Sequence, residues 1–137
     1  MYFETIHQII LAGHWITEQV SKELKEFDVT EPQYNVLRSL KVANGEPLTV
    51  QKLQAQMVQK SSNITRIIDK LIKKNCVERK ECPTNRRKMD ITITENGLKL
   101  LKILDAKVME LHKPLMSNLT EKELEVLKGL ILKLKGN

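Results

Sequence analysis

Ser61, Ser62, Asn63, Thr65, Arg66 and Lys70 fall within one ten-residue stretch, and a second run, Asn85-Arg86-Arg87-Lys88, begins 15 residues after it. Amide, hydroxyl and guanidinium groups gathered on one helix face are the set that pairs with base edges in the major groove of DNA. Successive cations on a thin projection suit backbone phosphates and the negative potential of a narrow minor groove. If Ser61 or Ser62 caps a helix, the first-turn N–H groups of Ser61, Ser62 and Asn63 also attract a phosphate. Charge is distributed to match. The formal net charge is +6, and residues 60–90 hold ten Lys/Arg against four Asp/Glu, while the remainder balances at 13 of each sign. A solubilising face is the plain alternative, but solvated charge spreads over a surface, whereas a localised excess is the footprint of a polyanion binder. Lys73, Lys74, Arg79 and Lys80 share the segment, with nothing in their spacing to decide between contact and solvation.

Catalytic and metal chemistry find no comparable concentration. A Gly-rich phosphate loop, H-E-x-x-H and G-x-S-x-G are all missing, so the expectation is a non-enzyme without a cofactor. His7 and His14 share a helix face but stand about 10 Å apart along its axis, too far for one ion, so no metal site is expected. Cys76 and Cys82 show neither C-x-x-C spacing nor a second pair, and read as free thiols. No apolar run approaches the ~20 residues that cross a bilayer. The opening residues, Met1 to His7, lack the basic start of a signal peptide, so the expectation is a cytoplasmic protein with no membrane partner.

The two runs need elements to hold them. Ile6, Ile9, Ile10, Gly13, Ile16, Val20, Leu24 and Phe27 recur at helical spacing, which predicts one long amphipathic helix. Thr30-Glu31-Pro32-Gln33 has the form of a capping box, stapled by Val29 and Tyr34, opening a second helix to about Val42 with Arg38 and Lys41 on its wetter side. Thr49 caps a short third helix, and Ser61 or Ser62 a fourth. In that fourth helix a buried stripe of Ile64, Ile67, Ile68, Leu71 and Ile72 leaves Ser62, Asn63, Thr65, Arg66, Asp69, Lys70 and Lys73 outside. Residues 77–81 and 89–93 read as the strands of a β-hairpin whose loop, 83–88, carries the three cations. A helix after Thr94 bears the stripe Leu98, Leu101, Leu104, Val108, Leu111 and Leu115, with Pro114 kinking or ending it; a second capping box at Thr120 opens the last helix. The fold class is therefore mainly α with a small β-hairpin wing, a winged helix-turn-helix over 29–97 flanked by long terminal helices, 1–28 and 98–137, in one domain of 137 residues. A chain this short buries only about two-thirds of its unfolded surface alone, so a partner subunit would help.

The stretch Ser62-Asn63-Ile64-Thr65-Arg66-Ile67-Ile68-Asp69-Lys70-Leu71, joined to Asn85-Arg86-Arg87 and then Ile93-Thr94-Glu95-Asn96-Gly97, resembles the MarR (multiple antibiotic resistance regulator) family. The first part is similar to that family's recognition helix; the second is similar to its wing signature, Asp-x-Arg leading to Leu-Thr-x-x-Gly. The resemblance implies a homodimer whose terminal helices interlock and form a dimerisation lobe. It also implies base contacts from the fourth helix, with Arg87 in the minor groove. The function implied is that of a sequence-specific transcription regulator, in most members a repressor, on a pseudo-palindromic double-stranded DNA operator. A small aromatic or phenolic effector between the lobes is a further implication, with Trp15 lining its pocket or packing at the dimer interface. Asn85 stands where the family usually has Asp, which turns an ion pair to the wing arginine into a neutral hydrogen bond, and the turn Val58-Gln59-Lys60 lacks the usual glycine. Unlike the peroxide-sensing members, this first helix holds no cysteine. A winged-helix module that binds another protein and not DNA is the competing class, and it predicts a weak salt dependence.

Overall fold

Threonine hydroxyls mark where four of the helices begin. In the computed structural model, which describes residues 1–60 and 63–137, Thr30, Thr49, Thr94 and Thr120 each accept a backbone N–H from three residues downstream. These caps open α2 (Glu31–Val42), α3 (Val50–Gln56), α5 (Glu95–Met116) and α6 (Glu121–Leu134). Both predicted capping boxes are complete, since Gln33 and Glu123 reach back to the N–H of Thr30 and Thr120. Helix α1 (Tyr2–Lys25) starts four residues earlier than the apolar spacing predicts. Pro114 lies inside α5, but in its last turn, so the helix runs only to Met116, where Ser117 Oγ donates to the Pro114 carbonyl.

Helix α4 (Ile64–Lys73) begins later than expected. Its cap is Asn63, whose Oδ1 accepts the Arg66 N–H at 3.2 Å; the expected caps, Ser61 and Ser62, lie outside the described residues. Serine and asparagine both cap well, so local chemistry does not separate them.

Strands β2 (Val77–Cys82) and β3 (Asn85–Ile93) pair antiparallel, and a strand not anticipated from the sequence, β1 (Leu48–Thr49), pairs with the other edge of β3. The three form a sheet in the order β1-β3-β2. The core is built from Val36, Leu37 and Leu40 of α2, Leu53 of α3, Ile64, Ile68 and Leu71 of α4, Val77 and Ile91 of the sheet, and Leu101, Leu104 and Val108 of α5. Only Val20 and Leu24 of α1 enter it, and α6 contributes no buried residue. No helix among the described residues is long and apolar enough to cross a membrane.

One corner joins the helix-turn-helix to α5. Backbone turns at Lys74, Asn75 and Cys76 point their carbonyls at the start of α5: Thr94 Oγ1 donates to Asn75 O at 2.6 Å, Thr94 N to Cys76 O at 2.9 Å, and Asn96 Nδ2 to Lys74 O at 3.2 Å. Gly97 is buried against Cys76, so close that a Cβ there would stand 2.2 Å from the Cys76 carbonyl oxygen.

Candidate nucleic-acid interface

Helix α4 is amphipathic as its sequence predicts. Ile64, Ile68 and Leu71 are buried, Ile67 and Ile72 half-buried, and Asn63, Thr65, Arg66, Lys70 and Lys73 exposed. The apolar stripe thus turns a polar, basic face outward, while the core holds the helix rigidly behind it. Asn63 is only partly free for such a face, because its side-chain oxygen is engaged as the cap. No ion pair among the described residues involves Arg66, Lys70 or Lys73. Along one flank of α4 runs an open groove of about 490 Å³, walled by Thr30, Pro32 and Gln33 at the start of α2 and by Asn63, Arg66 and Lys70.

Two partners of α4 were invisible in the spacing. Asp69 pairs with Arg79 of β2 at 3.1 Å, which ties the wing to the helix and assigns Arg79 a structural contact. Lys74 pairs with Asp28 at 3.5 Å and donates to its carbonyl, anchoring the end of α4 to the α1–α2 connection. Asp28 has a positive φ of 55°, a backbone state that Asp tolerates better than most residues.

The wing differs from the expected six-residue loop. Its turn is only Pro83-Thr84, and Asn85 to Lys88 already belong to β3. The register explains how the cations project all the same. Glu81 faces Met89 and Cys82 faces Asn85, so β2 advances one residue while β3 advances four. Arg86, Arg87 and Lys88 therefore have no partner on β2; they form a bulge, the device by which a strand re-aims its side chains. All three are exposed. The Asn85 side chain accepts the Arg87 backbone N–H at 3.0 Å, bracing the bulge backbone, and makes no hydrogen bond to the guanidinium that the expected neutral contact required.

The two thiols occupy opposite environments. Cys76 is buried, and burial pushes its thiol above the ordinary range despite the opposing charge of Lys74. Cys82 sits at the wing turn, where hydrogen bonds from the Thr84 hydroxyl and backbone pull its thiol below that range. A thiolate-selective reagent near pH 8 is thus expected to modify Cys82 at least about tenfold faster than Cys76 in the folded protein. Equal rates for the two sites, read by peptide mapping, would contradict this assignment of environments.

Comparison with known proteins gives these features a context. The MarR family model matches residues 29–89. The HTH-type transcriptional regulator YdcH of Bacillus subtilis is 33% identical over 81 residues, which cover 58% of this chain and 55% of that protein. The chain thus spans about half the length of the curated relatives it matches. A MarR-like transcription regulator from Bacillus cereus superposes with a TM-score of 0.83 over 98% of this chain and 96% of that one, at 23% identity, a likeness of fold. A cysteine-to-serine mutant of E. coli MarR, solved in complex with operator DNA, superposes with a TM-score of 0.80 at 26% identity over 93% of this chain and 91% of that one.

Proposed function

We propose that this chain, whose residues 29–89 match the MarR family model, is a sequence-specific DNA-binding transcription regulator that acts as a homodimer and represses from its operator. The observation that carries this reading is the pairing of two unneutralised basic surfaces. The outward face of α4, with Thr65, Arg66 and Lys70, enters the major groove, and the bulge Arg86-Arg87-Lys88 reaches the flanking minor groove. The E. coli MarR complex with operator DNA, similar over nearly the whole chain, supports it.

The winged helix-turn-helix, 29–97, is the reading unit, and residues 1–28 with 98–137 form the dimerisation lobe. Exposed apolar side chains support the second assignment. Tyr2, Phe3, Ile10 and Trp15 of α1, and Val126, Leu127, Leu130 and Leu134 of α6, are all exposed in the single chain, apolar surface that a second copy would cover. Two-fold symmetry then sets the target as a pseudo-palindrome with half-sites about one helical turn, ~10 base pairs, apart. A small aromatic or phenolic effector is assigned to the pocket of about 190 Å³ beside Trp15, where His112 Nε2 is buried without a hydrogen-bond partner among the described residues.

Selection of bound sequences from a random duplex pool tests the reading. It is expected to return a pseudo-palindrome, and Arg66→Ala is expected to weaken binding to it by ~1–3 kcal/mol and to relax the preference at particular bases. A pool that stays random, with binding insensitive to salt, would favour the protein-interaction module instead.

A further inference from the structure

The apolar contact between α2 and α5 is interrupted at one point by a carboxylate. Asp105 of α5 lies among the buried Leu101, Leu104 and Val108, and three side chains of α2 converge on it. Tyr34 donates its hydroxyl to Asp105 Oδ1 at 2.6 Å, Lys41 Nζ donates to Oδ2 at 3.2 Å, and Arg38 Nε stands 3.9 Å from Oδ1. The Arg38 guanidinium also lies 5.8 Å from the Tyr34 ring centroid. Tyr34, Arg38 and Lys41 follow one another at helical spacing, so a single face of α2 supplies all three. The Tyr34 ring is buried, and its phenol is held far above the usual range, by burial first and then by the carboxylate it donates to.

Apolar packing is non-directional and lets one helix slide on another by small shear. The two hydrogen bonds that Asp105 accepts, from Tyr34 and Lys41, are directional and are lost within a few tenths of an ångström or a small rotation, while Arg38 at 3.9 Å adds its charge. Helix α2 also packs on α4, and Val36, Leu37 and Leu40 share one buried core with Ile68 and Leu71, so whatever fixes α2 on α5 also fixes the recognition helix. We propose that Asp105 is a positioning residue for DNA recognition: with Tyr34, Lys41 and Arg38 it locks the winged helix in one orientation on α5. In the dimer it thereby sets the distance between the two recognition helices. This rests on the dimeric, DNA-binding reading above and adds to it the element that makes half-site spacing selective.

The test compares the parent with Asp105→Asn and Tyr34→Phe, the latter removing one hydroxyl and leaving the fold intact should the former not accumulate. Binding is measured to the selected operator, to duplexes with one or two base pairs inserted or deleted between half-sites, and to a single half-site. The parent is expected to prefer one spacing, and each variant to lose about fivefold or more of that preference while holding the single half-site within about twofold of the parent. A readout free of DNA accompanies it: the distance between spin labels at position 70 of the two protomers, narrow in the parent and broad in the variants. Variants that keep both the parent's spacing preference and its narrow distance would overturn the role of Asp105 and leave the proposed function standing. A parent that shows no inter-protomer distance and binds no duplex would overturn both.

Discussion

Replacing Arg86, Arg87 and Lys88 together by alanine is expected to flatten the logarithmic dependence of DNA affinity on salt by about 2.7 for each wing on the duplex, at about 0.9 per neutralised phosphate. If the difference vanishes near 1 M salt, that slope corresponds to about a hundredfold weaker binding at 0.15 M. Folding should be untouched, because the three side chains are exposed and take part in no ion pair among the described residues. The same change at Lys99 and Lys102 on α5, outside the proposed interface, should alter the slope little. Titration of a fixed duplex at several salt concentrations decides the matter. An unchanged slope would remove the wing from the interface.

The largest effect on stability is expected at Gly97. In the first turn of a helix, alanine is ordinarily favoured over glycine by up to about 1 kcal/mol, so propensity alone predicts that Gly97→Ala stabilises. Geometry reverses the sign. The added Cβ would lie 2.2 Å from the Cys76 carbonyl oxygen and 2.8 Å from Ile93 Cγ1, and the first of these belongs to backbone, which cannot swing aside. The corner must open instead, loosening the bonds of Thr94 and Asn96 to Asn75, Cys76 and Lys74. A loss of about 3 kcal/mol, at the upper end of overpacking costs, is expected. Thermal unfolding should show it as a fall in Tm of roughly 10 °C. A variant that melts with the parent would mean that the corner yields more easily than its hydrogen bonds imply.

Most of the fold was legible because its signals are local. Thr30, Thr49, Thr94 and Thr120 announce their helices within four residues, and the isoleucine stripe of α4 declares its buried face without knowledge of what covers it. What escaped depends on partners far along the chain. Two residues, Leu48 and Thr49, become a strand only because Ile91 and Asp90 lie beside them. The cationic bulge exists because β2 and β3 break register, and the composition of residues 83–88 reads equally well as a loop. The helical spacing places Arg38 and Lys41 on the solvated side, and both are exposed, yet their charged ends reach Asp105, 67 and 64 residues away in sequence. A signal was present there: an acidic residue beside Leu101, Leu104 and Val108 at the edge of an apolar stripe invites a search for donors. The cationic residues of the proposed interface were legible by type and place; Ser61 and Ser62 lie outside the described residues.

Helix α6 has two well-made ends and no interior. Its capping box closes the start, yet not one of its side chains is buried by its own protomer, and helices of 14 residues hold their shape poorly in water unaided. If the chain dimerises as proposed, the partner would supply the missing cover, and the last stretch of chain would gain shape by mass action as subunits meet.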